Sequence, residues 1–159
     1  MYWQIRISPY QRTPLGKAFT EKKMKFKIIE DLTSDVMFEA YGKNLKELFE
    51  NSALALFSIM CKVEEIKGEE SKVVNVKGSD VEDLMINWLQ ELIGLVDTEE
   101  MFFSKFKIEK ITETNLKAKV YGEEIRPEVG EVVVKAVTYY GFNFEKTKEG
   151  YKVKVSLDV

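Results

Sequence analysis

Two aspartates and the last residue of the chain are the groups whose types and placement could hold a metal ion. Asp35 follows Thr33 and Ser34 in a short polar break between two strand-like segments, and Asp158 precedes the terminal Val159. The last segment alternates as a strand, so the Asp158 side chain and the terminal carboxylate should lie close together. Two like charges held close cost energy unless a cation neutralises them, and a third carboxylate from Asp35 would complete a site of hard oxygen ligands.

On the residues alone, each part of this set also has a plainer interpretation. Thr33, Ser34 and Asp35 are typical of a turn, in which short polar side chains bond to the local backbone. Asp158 is equally compatible with an outward, solvated position on a terminal strand. Both interpretations stay open on spacing alone.

The chain has no histidine and a single cysteine, Cys61. It therefore cannot build a Ser-His-Asp or Cys-His catalytic site, a His-ligated zinc site or, within one chain, a Cys-ligated iron–sulfur cluster. Any metal must sit mainly on oxygen, which favours Ca²⁺, Mg²⁺ or Mn²⁺. A lone cysteine also excludes an intramolecular disulfide and points to a reducing cytoplasm, where we expect this protein.

The net charge of −3 is unevenly distributed over the 159 residues. Residues 1–23 carry +4 and residues 24–159 carry −7. A domain with this excess of acid is a poor general binder of phosphate backbones, because affinity for nucleic acid depends on charge neutralisation. We therefore expect no direct nucleic-acid binding.

The composition predicts one domain, residues 24–159, preceded by a leader of residues 1–23. The leader holds two of the three prolines and shows no sustained periodicity, whereas a clean strand pattern starts at Met24. The alternative is that the leader docks as an extra edge strand through Trp3, Ile5 and Ile7, which alternate correctly. No apolar run approaches the roughly 20 residues that span a bilayer, so we expect no membrane association.

Two segments have the periodicity and start signals of amphipathic helices. The first should begin after Asn44, an N-cap paired with Glu47, and should end near Cys61. The second should begin at a capping box of Ser79 and Glu82 and continue for about four turns.

The remaining segments alternate as strands, and they are separated from the helices in no βαβ rhythm. This order predicts an α+β fold with a mostly antiparallel or mixed β-sheet and both helices on one sheet face. The predicted strands cover residues 26–28, 36–40, 72–77, 102–111, 116–120, 132–138 and 153–159.

Several of these features occur together in an order that resembles the archease family. The resemblance covers residues 24–159 and has nothing for the leader. It is carried by TSDV at 33–36, AYG at 40–42, LKELFEN at 45–51, NWL at 87–89 with EL at 91–92, FSKF at 103–106, KAVTYYG at 135–141 and LDV at 157–159. Two positions depart from the family, because Leu32 and Tyr140 stand where archeases commonly have histidine.

The resemblance implies an accessory protein, not itself an enzyme, for an RtcB-type tRNA-splicing RNA ligase. Such a protein promotes guanylylation of the ligase and its repeated turnover. The metal site of the family would map onto Asp35, Asp158 and the terminal carboxylate of Val159, with calcium as the expected cofactor and Mg²⁺ or Mn²⁺ chemically suitable. The carboxylates are intact here, so the metal inference is less affected by Leu32 and Tyr140 than any acid–base inference.

Two competing functions remain. The first is a chaperone-like modulator of an RNA-modifying enzyme, such as a tRNA methyltransferase, with no metal-dependent role. The second is a metal-dependent hydrolase that uses the same carboxylates, for which Glu39 is the candidate general base on the strand face of Asp35.

Overall fold

The computed structural model describes residues 4–6, 24–30 and 35–159. In these ranges the chain forms eight strands, two α-helices and two short 3-10 helices at Val63–Glu65 and Pro127–Val129. The elements are β1 (Gln4–Arg6), β2 (Phe26–Glu30), β3 (Val36–Gly42), α1 (Leu45–Met60), β4 (Glu70–Lys77), α2 (Val81–Glu99), β5 (Met101–Ile111), β6 (Asn115–Glu124), β7 (Ala136–Thr147) and β8 (Gly150–Asp158).

The strands form two antiparallel sheets, a five-stranded sheet in the order β1-β2-β3-β8-β7 and a three-stranded sheet in the order β4-β6-β5. The α+β class is confirmed, but the expectation of one sheet with both helices on one face is wrong. Helix α1 contacts β3 and β5, and α2 contacts β4 and β7, so each helix packs against both sheets. Helix α1 is buried over most of its surface, and a helix of that kind needs neighbours on more than one side.

The hydrophobic core is continuous through both sheets and both helices. Phe38 and Val155 face each other across β3 and β8 and are fully buried. Trp88 of α2 is also fully buried, and its Nε1 donates a hydrogen bond to the backbone oxygen of Phe49 at 3.0 Å. Burial of each such large side chain contributes about 1.5–3 kcal/mol. Neither described helix combines the length and apolar character needed to cross a membrane.

The start of α1 is confirmed. Asn44 is its N-cap, and Asn44 Oδ1 accepts a hydrogen bond from the Glu47 backbone N–H at 2.9 Å. The helix ends at Met60, with Cys61 as its C-cap.

The predicted capping box of α2 is wrong by one residue. Asp80, and not Ser79, is the N-cap, and Asp80 Oδ1 accepts from the Asp83 backbone N–H at 2.8 Å. The Asp83 carboxylate in turn accepts from the Ser79 backbone N–H at 2.8 Å. A start at Ser79 and a start at Asp80 each give a side-chain acceptor at the N-cap and an acidic residue three positions later. The local pattern alone therefore does not choose between the two starts.

Strand β1 lies at the edge of the five-stranded sheet, where Ile5 pairs with Ile29 of β2. This pairing agrees with the alternative interpretation of the leader for residues 4–6, while Trp3 and Ile7 lie outside the described residues. The division into a leader and a domain at residue 24 stays a prediction.

Strand β7 begins at Ala136, four residues later than the alternation predicts. Val134 is buried although it lies in a loop. The apolar residues before Ala136 therefore indicate burial of a loop and not strand structure. A wide irregularity then interrupts β7. Thr138 pairs with Ser156 and Asn143 with Lys154, so residues 139–142 face a single residue of β8. This bulge carries two exposed tyrosines, Tyr139 and Tyr140.

Candidate metal site

The pairing of β3 with β8 ends one residue short of the two predicted aspartates. Val36 pairs with Leu157 at the end of this antiparallel ladder. The same register, continued by one residue, places Asp35 opposite Asp158. Directly opposed residues of an antiparallel pair share a face, with Cβ atoms about 4.5–5.5 Å apart. One further pair in this register would therefore bring two residues separated by most of the chain together at one end of the five-stranded sheet.

Strand β7 holds the other side of Asp158. Ala136 pairs with Asp158, and the backbone N–H of Lys135 donates to the Asp158 carbonyl oxygen at 2.8 Å. Asp35 and Val159 are half-buried, whereas Asp158 is exposed. A ligand reaching this end of the sheet would therefore meet an open carboxylate beside a partly shielded one.

Like charges directly opposed across a ladder destabilise the pair. The rest of this outer sheet face avoids that cost by pairing opposite charges. Lys27 Nζ lies 3.7 Å from Glu39 Oε1, and Lys152 Nζ lies 3.8 Å from Glu145 Oε2. Opposed aspartates at Asp35 and Asp158 would therefore be an exception on their own sheet.

Ser156 supplies an observation that bears on whether these residues fit a cation. Its hydroxyl oxygen is buried and has no hydrogen-bond partner. Ser156 is two residues from Asp158 on β8, so both side chains lie on the same sheet face. An orphaned hydroxyl costs about 1–3 kcal/mol when buried, unless it finds a partner in a bound ligand. Two carboxylates with a hydroxyl beside them suit Ca²⁺, Mg²⁺ or Mn²⁺ chemically.

The predicted metal set itself stays a prediction. In the described part of the chain, no three side chains of His, Cys, Asp or Glu are grouped closely enough to hold a metal. The predicted set contains two such side chains, Asp35 and Asp158, and its third ligand is the terminal carboxylate of Val159. Thr33, Ser34 and Leu32 lie outside the described residues.

Glu39 has a structural role on the face shared with Asp35. Its carboxylate accepts a hydrogen bond from the Tyr41 hydroxyl at 2.9 Å in addition to its contact with Lys27. Burial, together with the neighbouring Glu39, raises the pKa of Tyr41 and keeps the phenol protonated. A carboxylate held by two partners is poorly placed to act as a general base, which argues against the hydrolase hypothesis.

The sequence did not indicate Ser156. A serine in an alternating terminal strand normally marks a solvated, outward position, and it is buried here instead. Its burial depends on Met37 and Thr138, the residues that pair with it on β3 and β7. Those pairings are non-local, so no local signal could have found it.

Comparisons with known proteins give a consistent result. Residues 26–159 match the model of the archease protein family (MTH1598/TM1083). The archease of Methanosarcina acetivorans is 39% identical over 141 residues, which cover 85% of this chain and 96% of that protein. The archease of Pyrococcus abyssi is 40% identical over 124 residues, covering 74% of this chain and 87% of that protein.

Two solved structures share the fold. Protein 1598 of Methanobacterium thermoautotrophicum superposes with a TM-score of 0.72 at 34% identity, over 85% of this chain and 99% of that one. An archease of Thermotoga maritima, described as a possible chaperone, superposes with a TM-score of 0.59 at 21% identity, over 77% and 89% of the two chains. By its sequence and by its fold, the chain belongs to the archease family.

Proposed function

We propose that this chain is a non-catalytic accessory protein that activates an RtcB-type RNA ligase in the cytoplasm. In this proposal Asp35, Asp158 and the terminal carboxylate of Val159 hold a divalent cation, with calcium as the first candidate and Mg²⁺ or Mn²⁺ as alternatives. The cation would neutralise the carboxylates and offer a positive centre to the nucleotide-binding site of the ligase. The protein residues position that charge at one exposed end of the sheet.

The register of β3 and β8 is the observation that supports the proposal, since its last pair is Val36 with Leu157 and one further pair would set Asp35 opposite Asp158. The Ser156 hydroxyl, two residues from Asp158 on the same strand face, is a further oxygen without a hydrogen-bond partner. The acidic charge of residues 24–159 suits docking to a basic RNA enzyme, because complementary charge favours encounter.

The direct test is ligase guanylylation at limiting enzyme, with and without this protein. Asp35→Asn and Asp158→Asn should each abolish most of the stimulation, since each removes a charged ligand while keeping side-chain size. Asp97→Asn is the matched control, because Asp97 is an exposed aspartate of α2. Full stimulation by both site variants, with folding intact, would rule out the proposed role of the carboxylates.

The terminal carboxylate permits a separate test. Added residues after Val159 move that negative charge away from Asp158, so a C-terminal tag should impair stimulation. The same tag at the N-terminus should not. Equal activity of both tagged proteins would remove Val159 from the ligand set and leave the two aspartates.

Calcium binding can be measured without the ligase. A site of this kind should raise the free energy of unfolding by about 2.7 kcal/mol at a calcium concentration 100 times the dissociation constant. Asp158→Asn should remove that increase. A melting temperature that does not respond to calcium, magnesium or manganese would exclude a metal-dependent role.

The exposed tyrosines of the β7 bulge favour one alternative. Tyr139 is 69% exposed and Tyr140 is 68% exposed, and neighbouring aromatic rings in solvent are typical of a protein-contact surface. This supports a chaperone-like modulator of an RNA-modifying enzyme that needs no metal. In that case a Tyr139→Ser/Tyr140→Ser double variant would lose activity toward the partner enzyme, whereas Asp158→Asn would keep it.

A further inference from the structure

The exposed face of the three-stranded sheet is a continuous surface of lysines. Five of them occupy positions of β5 and β6 whose side chains point away from the core. They are Lys105, Lys107, Lys110, Lys117 and Lys119, and we refer to them as the lysine face. Lys107 pairs directly with Lys119, and Lys110 pairs directly with Lys117.

Direct pairing of like charges costs stability in an antiparallel sheet. Opposite charges would remove that cost, but none are in place. In the part of the chain that the structure describes, none of the five lysines forms an ion pair. The nearby acid Glu109 is the unpaired residue of a β5 bulge, between Ile108 and Lys110 in the register.

Protection of a sheet edge accounts for only part of this arrangement. Edge strands often carry lysines that prevent pairing with another chain, which would explain the three on β5. Lys117 and Lys119, however, lie on β6, the central strand of the sheet. A central strand has no free edge to protect, so these two charges need another explanation.

The residues that pair with Lys117 and Lys119 on β4 are uncharged, and an aromatic ring lies at one end of the face. On the β4 side, Val73 pairs with Lys119 and is 58% exposed, and Asn75 pairs with Lys117. At one end of the face, Lys105 Nζ lies 5.1 Å from the centre of the Tyr121 ring. The face therefore combines regularly spaced cations with an aromatic ring. Neither of the β4 residues that pair with Lys117 and Lys119 is acidic.

We propose that the lysine face binds single-stranded RNA through its phosphodiester backbone. Positive strips with aromatic side chains are the usual means of holding a single strand without sequence preference. Lysine ammonium groups serve phosphates as point charges, whereas carboxylates on a protein partner are best matched by the planar fork of arginine. The lysine face contains no arginine. The choice of RNA over DNA depends on the proposed role beside an RNA ligase.

This inference revises the expectation that the protein binds no nucleic acid. That expectation came from the net charge of −7 over residues 24–159. Net charge averages over the whole surface, while binding depends on the local potential of one face. The five lysines are distributed along the sequence among glutamates, and only the β5–β6 pairing gathers them.

The test uses the isolated full chain and a fluorescein-labelled oligonucleotide of twelve uridines, with binding followed by anisotropy. If five phosphates are neutralised, affinity should fall about 100-fold between 50 and 200 mM salt. A Lys117→Glu/Lys119→Glu variant should bind at least about 10-fold more weakly at 50 mM. Its melting temperature should be unchanged or higher, because two like-charge pairs become opposite-charge pairs.

The matched control is Lys46→Glu/Lys148→Glu, which makes the same charge change at two exposed positions outside the face. It should bind within two-fold of the unmodified chain. An equal loss in both variants would overturn the proposal, as would no binding by the unmodified chain at 50 mM.

Two competitors identify the ligand class. An oligoglutamate of twelve residues should compete poorly, and competition equal to that of the oligouridine would assign the face to acidic proteins instead. Oligouridine should bind at least as tightly as oligodeoxythymidine, and tighter binding of the DNA would overturn the choice of RNA. Because no ligase is present, failure here is distinct from failure of the proposed accessory function.

Discussion

The three-stranded sheet of this protein pairs like positive charges directly, and we propose that the five-stranded sheet does the same with two carboxylates. At one end of the five-stranded sheet the β3–β8 register, continued by one residue, would oppose Asp35 and Asp158, and on the three-stranded sheet Lys107 and Lys119 are opposed. The remaining outer face of the larger sheet shows ordinary pairing of lysine with glutamate. Since this fold can pair opposite charges, positions where it does not are candidates for binding ligands of the opposite sign.

The two regions differ in their surroundings. The aspartates lie where strands end, beside a buried hydroxyl that lacks a partner, and such a geometry suits a small ion. The lysines lie on the open middle of a sheet, and such a surface suits an extended polyanion. Each of the following experiments disturbs one or both of these regions, or a residue beside them.

The largest effects should come from the glycines that set the strand pairings. A Cβ at Gly122 would overlap the Phe102 carbonyl oxygen, and a Cβ at Gly150, where φ is +143°, would overlap the Gly42 oxygen. Gly122→Ala and Gly150→Ala should each lower the free energy of unfolding in urea by about 3 kcal/mol. Gly94→Ala is the control, since nothing lies near its added methyl group and a helix favours alanine.

These glycine variants also separate the two regions. In native conditions Gly150→Ala should weaken the calcium response and spare oligouridine binding, because Gly150 lies at the turn into β8. Gly122→Ala should do the reverse, because Gly122 lies in β6. Equal loss of both activities in either variant would mean that the two sheets respond as one unit.

The features predicted correctly from sequence are those that local chemistry determines. Asn44 and Glu47 are three residues apart, so the start of α1 could be predicted from an interaction within one turn. The start of α2 was misplaced because Asp80 and Asp83 repeat the same pattern one residue later. Local signals therefore predict that a helix exists more securely than they predict its first residue.

The features that could not be predicted depend on pairing between distant strands. Alternation shows which residues of a strand share a face, but it does not show which strand lies opposite. That is why the division into two sheets was missed, although the separate strands were expected. The lysine face requires the β5–β6 register with its two irregularities, and the burial of Ser156 likewise depends on strands that are distant in sequence.

Ser156→Ala should have the next largest effect. Without a cation, removal of a buried hydroxyl that has no partner should raise the free energy of unfolding by about 1 kcal/mol. With calcium, the variant should gain less stability than the unmodified chain if the hydroxyl serves the site. Ser52→Ala is the comparison, because the Ser52 hydroxyl donates to the Leu48 oxygen at 2.8 Å and its loss should not stabilise. Destabilisation of both variants would show that Ser156 has a partner.

Relief of like-charge repulsion should have a smaller effect on both sheets. Asp158→Asn and Lys119→Gln should each raise the free energy of unfolding by about 0.5 kcal/mol in the absence of ligand and at low salt. The gain should shrink as salt is added, because the repulsion is screened. A loss of stability in either variant would contradict the view that these positions are maintained at a cost to the fold.

The smallest effect concerns Glu123, which follows the lysines along β6. The backbone N–H of Lys67 donates to its carboxylate, and Arg126 Nη2 lies 3.2 Å away, so the pKa of Glu123 is lowered. A carboxylate with a lowered pKa in the folded state stabilises the fold above its ordinary pKa of about 4.3, and that contribution disappears as the pH falls through and below this value. Glu123→Gln should therefore cost about 0.5 kcal/mol near neutral pH and less at pH 3.

Unfolding in urea at pH 7 and pH 3 measures this difference, with the exposed neighbour Glu124→Gln as control. The same substitution also removes one of the two ion pairs of Arg126, near the end of the lysine face, and leaves the one with Glu128. Oligouridine binding should therefore tighten in Glu123→Gln and change less in Glu124→Gln, although both variants lose one negative charge. Equal tightening in the two variants would mean that the total charge of the chain, and not the local potential of the lysine face, determines its affinity for RNA.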